Sequence, residues 1–274
     1  MIQHFRFGSP IRTDSVVQDI PVSSDAVPFL TADADGWVYT MAPDAIVYGL
    51  GEMPRSINKR GWHYVANNTD ESHHGENKVS YYGAHNFLLI DGGPGGDLFG
   101  VFVDFPGKVH YDIGYTVHDT LRFATEEPDY ELYILTGADP NDIAHQFRQL
   151  IGRSYIPPKW AFGLQQSRWG YKTAEDVREV ARQYKENDLP LDMICMDIDY
   201  MQDYADFTIN KERFPDLAAL AAELKAQGIR LVPIIDAGVR IDPEEPTCTE
   251  GLEKGYFCKK EDGTPFVAAV WPGK

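Results

Sequence analysis

Cysteine is scarce in this chain. Cys195, Cys248 and Cys258 are its three in 274 residues, an odd number with no short-range pairing. That excludes a disulfide framework and argues against a zinc site, so a reduced, cytosolic protein is expected. Long apolar runs are also missing, none reaching the roughly 18 residues that span a bilayer. The N-terminal Met1-Ile2-Gln3-His4-Phe5-Arg6 lacks the apolar centre of a secretory signal. Cations are few: 25 Lys and Arg stand against 42 Asp and Glu, a formal charge of −17. Affinity for nucleic-acid backbones and anionic membranes comes from Lys and Arg, so neither partner is expected. The acidity itself says only that the surface is well solvated.

Chemical motifs are thin. There is no nucleophile-elbow serine. The glycine-rich Asp91-Gly92-Gly93-Pro94-Gly95-Gly96-Asp97 runs into the strand-like Leu98 to Val103, whereas a phosphate cradle needs a helix N-terminus there. A hairpin loop is the expectation. His73-His74, between Glu71 and Glu76, has no third ligand spaced to join it, and reads as a polar loop.

What is present is globular: 43% hydrophobic and 24% charged residues, with 18 prolines and 24 glycines. The length allows one large domain or two ordinary ones. The pattern changes near residue 150, which divides an expected β-sandwich over 1–150 from an α/β region over 151–274. Short runs such as Ile46-Val47-Tyr48, Phe87 to Ile90, Leu98 to Val103, Thr120 to Phe123 and Tyr130 to Leu135 alternate with turn clusters. A helix closes this half, capped by Asp139, opened by Pro140, with Ile143, Phe147 and Leu150 on one face. The proline-pinned linker Tyr155 to Trp160 follows.

The second half reads as strand, helix, strand, helix, strand. Ala161 to Gln166 is the first candidate strand. Thr173 caps a helix with Asp176 as its capping-box partner and Val177, Val180, Ala181 and Tyr184 as its stripe. Leu191 to Met196 is the second strand. A helix from Pro215 carries Leu217, Leu220, Ala221 and Leu224 and stops at Gly228, and Leu231 to Asp236 is the third strand. Near-continuous apolar strands separated by helices belong to a parallel sheet. Asp197 and Asp236 stand at strand ends, where parallel α/β folds place ligands. A capping or ion-paired aspartate is the plain alternative for each. Trp160, Trp169 and Trp271, with these carboxylates, suit a sugar: flat rings cover the apolar face of a pyranose and carboxylates accept from hydroxyl pairs. Tryptophan also fills cores, so the pattern alone leaves the choice open.

The stretches Arg153 to Gly163 and Gln166-Ser167-Arg168-Trp169-Gly170-Tyr171 resemble glycoside hydrolase family 31, the α-glucosidase group. So do Met196-Asp197-Ile198-Asp199-Tyr200-Met201 with Asp206-Phe207-Thr208 and Phe214-Pro215, then Ile234-Ile235-Asp236 and Val270-Trp271-Pro272-Gly273. Upstream, Tyr48-Gly49-Leu50-Gly51-Glu52 resembles the family's sandwich motif. The resemblance implies a β-sandwich followed by a (β/α)₈ barrel, and retaining cleavage of terminal α-linked sugars by two aspartates without metal or cofactor. By motif position, Asp197 binds hydroxyls of the non-reducing-end sugar and Ile198, Ile234 and Trp271 wall that subsite. Trp169 sits where the family varies an aromatic that shapes linkage preference, and Asp236, in the matching Ile234-Ile235-Asp236, is a further substrate-binding carboxylate. Asp70 looks like the carboxylate that a sandwich loop sends into the barrel mouth.

One departure stands out. The family's nucleophile lies in Trp-x-Asp-Met-Asn-Glu, and no such motif occurs here. No catalytic residue is therefore assigned. A full barrel takes about 250 residues, and the stretch from 161 holds roughly three strands. The expectation is part of a retaining α-glucosidase that carries sugar-binding residues for an α-linked gluco-oligosaccharide and is inactive alone, its catalytic aspartates lying beyond residue 274. A stand-alone carbohydrate-binding or interaction module is the alternative, and an unrelated enzyme using Asp197 and Asp236 as an acid/base pair is a third. The incomplete barrel is expected to self-associate, or else to be poorly ordered after about residue 240.

Overall fold

Strands whose successive side chains face opposite sides of a sheet build the first half of the chain. In the computed structural model, which describes residues 1–236 and 238–269, the chain divides into Met1–Ser154 and Tyr155–Lys274.

The first unit holds ten strands: β1 (Ile2–Phe7), β2 (Thr31–Asp33), β3 (Gly36–Thr40), β4 (Ile46–Gly51), β5 (Trp62–Ala66), β6 (Ala84–Asp91), β7 (Leu98–Asp104), β8 (Val109–Ile113), β9 (Thr120–Thr125) and β10 (Tyr130–Thr136). They form two five-stranded antiparallel sheets, ordered β1-β10-β7-β6-β4 and β2-β3-β9-β8-β5. Leu88, Ile90, Phe99, Val101, Leu132 and Ile134 of the first sheet share one core with Tyr39, Tyr111, Leu121 and Phe123 of the second. The intervening residues Leu89, Phe102, Tyr133 and Leu135 point the other way, onto α1 (Pro140–Leu150), where Ile143 and Leu150 are buried. Asp139 caps α1 by accepting from the Asp142 N–H, and Phe147 stacks on Phe87 at 3.9 Å between centroids. Close approach of helix and sheet depends on Gly100, where a Cβ would lie 2.8 Å from Ile143 Cγ2. Asp91 to Asp97 forms the β6–β7 hairpin loop, closed by the Gly92 N–H donating to the Asp97 carbonyl.

The second unit begins a parallel barrel. Strands β11 (Gln165–Ser167), β12 (Met193–Met196) and β13 (Arg230–Pro233) pair in that order, all parallel. The helices are α2 (Ala174–Glu186), α3 (Leu217–Ala226) and α4 (Pro246–Lys254). Val177 and Ala181 of α2, Leu220 and Leu224 of α3, and Ile194 and Met196 of β12 bury one core, with Phe214 inside it. Thr173 and Asp176 form the capping box of α2, each side chain bonding the other's backbone N–H.

Two elements depart from the sequence reading. Ala161 to Gln166 is not the first strand: Lys159–Phe162 is a 3₁₀ turn after Pro158, and β11 starts at Gln165. Pairing begins only where Asp192 holds the chain, its carboxylate accepting from the Leu164 N–H and its own N–H donating to the Leu164 carbonyl. The third strand ends at Pro233, so Asp236 lies on the loop beyond β13. Helix α4 has a weak apolar pattern; Glu245 caps it by accepting from the Thr247 and Cys248 N–H groups, and Gly255 ends it in a left-handed conformation.

Candidate functional site

The C-terminal ends of β11, β12 and β13 carry the expected residues together with a set of hydrogen bonds that tie them to one another. Trp169 follows β11 in a turn and is 67% exposed. Asp197 follows β12 directly; its Oδ1 accepts from the Ile198 N–H at 2.7 Å, opening a 3₁₀ turn over Ile198–Tyr200. Its second oxygen receives no hydrogen bond among the described residues, and Asp197 and Ile198 are both half-buried. Ile234, after β13, is 40% exposed.

The short segment Asp197 to Tyr200 does two jobs. Asp199, two residues on and 2% exposed, points down and accepts from the Gly170 N–H at 3.1 Å, fixing the turn that bears Trp169. Tyr200, also buried, donates its hydroxyl to the Ile234 carbonyl at 2.7 Å, while the Ile234 N–H donates to the Met196 carbonyl at 3.0 Å. Three strand ends are thus linked through one turn.

Asp206 adds a further tie. It is 3% exposed, and its Oδ1 accepts from the Asp236 N–H at 3.1 Å. Its Oδ2 is buried without a partner among the described residues. The loop around it is tightly wound: Asp203, Tyr204 and Phe207 have positive φ, and Thr208 accepts from the Gln202 N–H. Burial, with the charge of Asp236 adding to it, pushes the Asp206 carboxyl above its ordinary value. The native state then keeps a proton that the unfolded chain releases. Stability from this group is complete below the ordinary carboxylate range and declines as pH rises through the raised value. Asp206→Asn is expected to flatten that decline in amide-exchange measurements on β12 and β13. An unchanged slope in the variant would refute the assignment.

Asp70 belongs to the first unit. It is exposed on the loop after β5 and faces the Tyr82 hydroxyl at 3.0 Å, which pushes the Tyr82 phenol up. Trp271 lies outside the described residues. The structure therefore gathers Trp169, Asp197, Ile198, Ile234 and Asp236 at one set of strand ends, and Asp70 has its own surroundings. Asp199, Tyr200 and Asp206 were not singled out from sequence. A signal existed: in Asp197-Ile198-Asp199-Tyr200 the two aspartates cannot face the same way in a single turn. Among the described residues no group of three or more His, Cys, Asp or Glu side chains is placed to hold a metal ion.

Both units of the chain are similar to known proteins. Residues 154–274 match the glycosyl hydrolases family 31 TIM-barrel domain, and residues 20–112 match the glycosyl hydrolase 31 N-terminal galactose mutarotase-like domain. The chain belongs to glycoside hydrolase family 31. This family 31 chain is 40% identical over 229 residues to alpha-glucosidase 2 of Bacillus thermoamyloliquefaciens, covering 83% of this chain and 29% of that protein. It is 32% identical over 203 residues to the lysosomal alpha-glucosidase of Bos taurus, covering 72% of this chain and 21% of the relative. The chain thus spans about a third or less of the curated relatives it matches. Its fold is similar to that of a Flavobacterium johnsoniae family 31 dextranase complexed with isomaltotriose, with a TM-score of 0.75 at 24% identity over 90% of this chain and 30% of that one. The endoplasmic-reticulum glucosidase II complex gives 0.76 at 24% identity over 86% and 28%.

Proposed function

We propose that this family 31 chain supplies the sugar-holding portion of a retaining α-glucosidase, with Asp197 accepting hydrogen bonds from the hydroxyls of a terminal α-linked glucose. The observation that carries the reading is the linked set of strand ends. Trp169 presents a ring, Asp197 presents an unengaged carboxylate oxygen, and Ile198 and Ile234 offer apolar contact, all held by buried Asp199 and Tyr200. A preorganised acceptor beside a flat apolar surface is what a pyranose needs, because ordering these groups on binding would otherwise cost affinity. Asp236, on the loop beyond β13, is included as a further carboxylate toward the same substrate class. The names of the relatives support α-glucosides as that class.

In this reading the chain binds but does not hydrolyse. The family's nucleophile motif does not occur in these 274 residues, and retaining chemistry needs both carboxylates. Calorimetry with maltose or isomaltose is expected to show saturable binding, with no p-nitrophenol released from p-nitrophenyl α-glucoside. Turnover by this chain would sink the assignment of the missing nucleophile, and no binding at all would sink the sugar site. The half-covered β13, together with exposed Ile235, is the edge that we expect to drive self-association of the isolated chain. Light scattering on the same sample checks this, and a stable monomer would overturn it.

A further inference from the structure

The first unit carries an aromatic surface that the proposed site does not use. Trp62 opens β5 and is 41% exposed; Tyr115, just past the end of β8, is 54% exposed. Their ring planes are only 18° apart, with centroids separated by 6.4 Å.

Both rings are held rather than loose. The guanidinium carbon of Arg55 lies 4.0 Å from the centroid of the Trp62 ring and 5.3 Å from that of Tyr64, which occupies one side of the indole. Arg55 has a left-handed backbone (φ 73°), and its Nε and Nη1 are buried without acceptors. Both features cost stability, and such strain persists where it holds something in place. Tyr115 rides on a turn fixed at several points. The Gly114 N–H donates to the Thr120 carbonyl, Asp112 accepts from the Tyr115 and Thr116 N–H groups, and Arg60 donates to the His118 carbonyl. The exposed His63 ring leans against Tyr115 at 4.7 Å.

Two rigid, near-parallel rings with the exposed His63 at their polar rim match a saccharide. The C–H face of a pyranose covers an aromatic ring, and its hydroxyls reach the rim. Two rings are far short of the roughly 1,000 Å² that a specific protein interface buries. Tyrosine and tryptophan give this contact at low entropy cost because they have few rotatable bonds. We propose that Trp62 and Tyr115 form a second saccharide-binding platform, separate from the Asp197 site, that takes adjacent rings of a gluco-oligosaccharide. The choice of a gluco-sugar rests on the reading of the Asp197 site; the platform itself does not.

The test is titration of the ¹⁵N-labelled chain with maltotriose and with isomaltotriose, following the tryptophan indole N–H signals. The Trp62 indole is expected to shift saturably with at least one of them, in the parent and equally in Asp197→Ala. Tyr115→Ala is expected to weaken the Trp62-centred binding by at least about tenfold, with β5 and β8 amide protection showing that the sheet is intact. Trp62→Phe keeps a flat ring over Arg55 and is expected to retain part of the affinity, as Tyr115 signals report. A Trp62 indole unmoved at millimolar saccharide, or a Tyr115→Ala affinity equal to the parent's, would overturn the platform. Loss of Asp197-dependent binding with the Trp62 shift retained would count against the first site alone.

Discussion

Replacing Asp197 with alanine is expected to weaken maltose or isomaltose binding at the strand-end site by roughly 10- to 150-fold. The figure follows from the about 1.5–3 kcal/mol of a hydrogen bond to a charged group. One carboxylate oxygen is committed to the Ile198 N–H at 2.7 Å, so the remaining oxygen is the acceptor that a sugar hydroxyl meets. The fold should survive, because the buried partner of the neighbouring turn is Asp199 and not Asp197. Asp197→Asn keeps an oxygen for the Ile198 N–H but offers an amide in place of the charge, and should fall between parent and alanine. Calorimetry on the three proteins checks the order. Equal affinity in parent and alanine variant would remove Asp197 from the site.

A larger loss of stability is expected from Phe214→Ala. Phe214 is fully buried among Val177, Ala181, Ile194, Leu220 and Leu224. Its N–H donates to the Asn210 carbonyl, and the neighbouring Arg213 carbonyl accepts from the Ala174 N–H at the start of α2. The ring therefore fills the centre of the second unit at the point where its loops converge on the helices. Truncating a buried phenylalanine costs about 3–5 kcal/mol through lost transfer energy and the cavity left behind. Domains are stable by only about 5–15 kcal/mol in total. Amide exchange in β12 and α2 should accelerate accordingly. A change below about 1 kcal/mol would mean that the surroundings collapse onto the gap.

Much of the architecture was legible from residues alone, for identifiable reasons. The sandwich strands are short apolar runs set between turn clusters, and a run such as Leu88, Leu89 and Ile90 is apolar throughout because its successive side chains enter different cores. Thr173 and Asp176 marked the start of α2 because a capping box is a local device that needs no distant partner. Ala161 to Gln166 misled for the opposite reason. Its composition suits a strand, but the backbone has a parallel partner only from Gln165 onward, and Asp192, remote in sequence, sets that boundary. The run to Asp236 likewise overshot, because ladder pairing to β12 ends at Pro233.

The same distinction separates the site residues. Sequence alone determined the family, the succession of a sandwich by the first barrel strands, the absence of the nucleophile motif and the presence of Asp197 and Trp169 at strand ends. Those properties reside in local spacing and in motifs read along the chain. Which aspartate faces outward and which is buried was decided only by tertiary structure. Asp199 accepts from the Gly170 N–H, one oxygen of Asp206 accepts from the Asp236 N–H, and the Tyr200 hydroxyl donates to the Ile234 carbonyl, contacts spanning 29, 30 and 34 residues. A polar side chain buried in a core must find a partner, and the partner's identity is fixed by which strand ends the fold brings together.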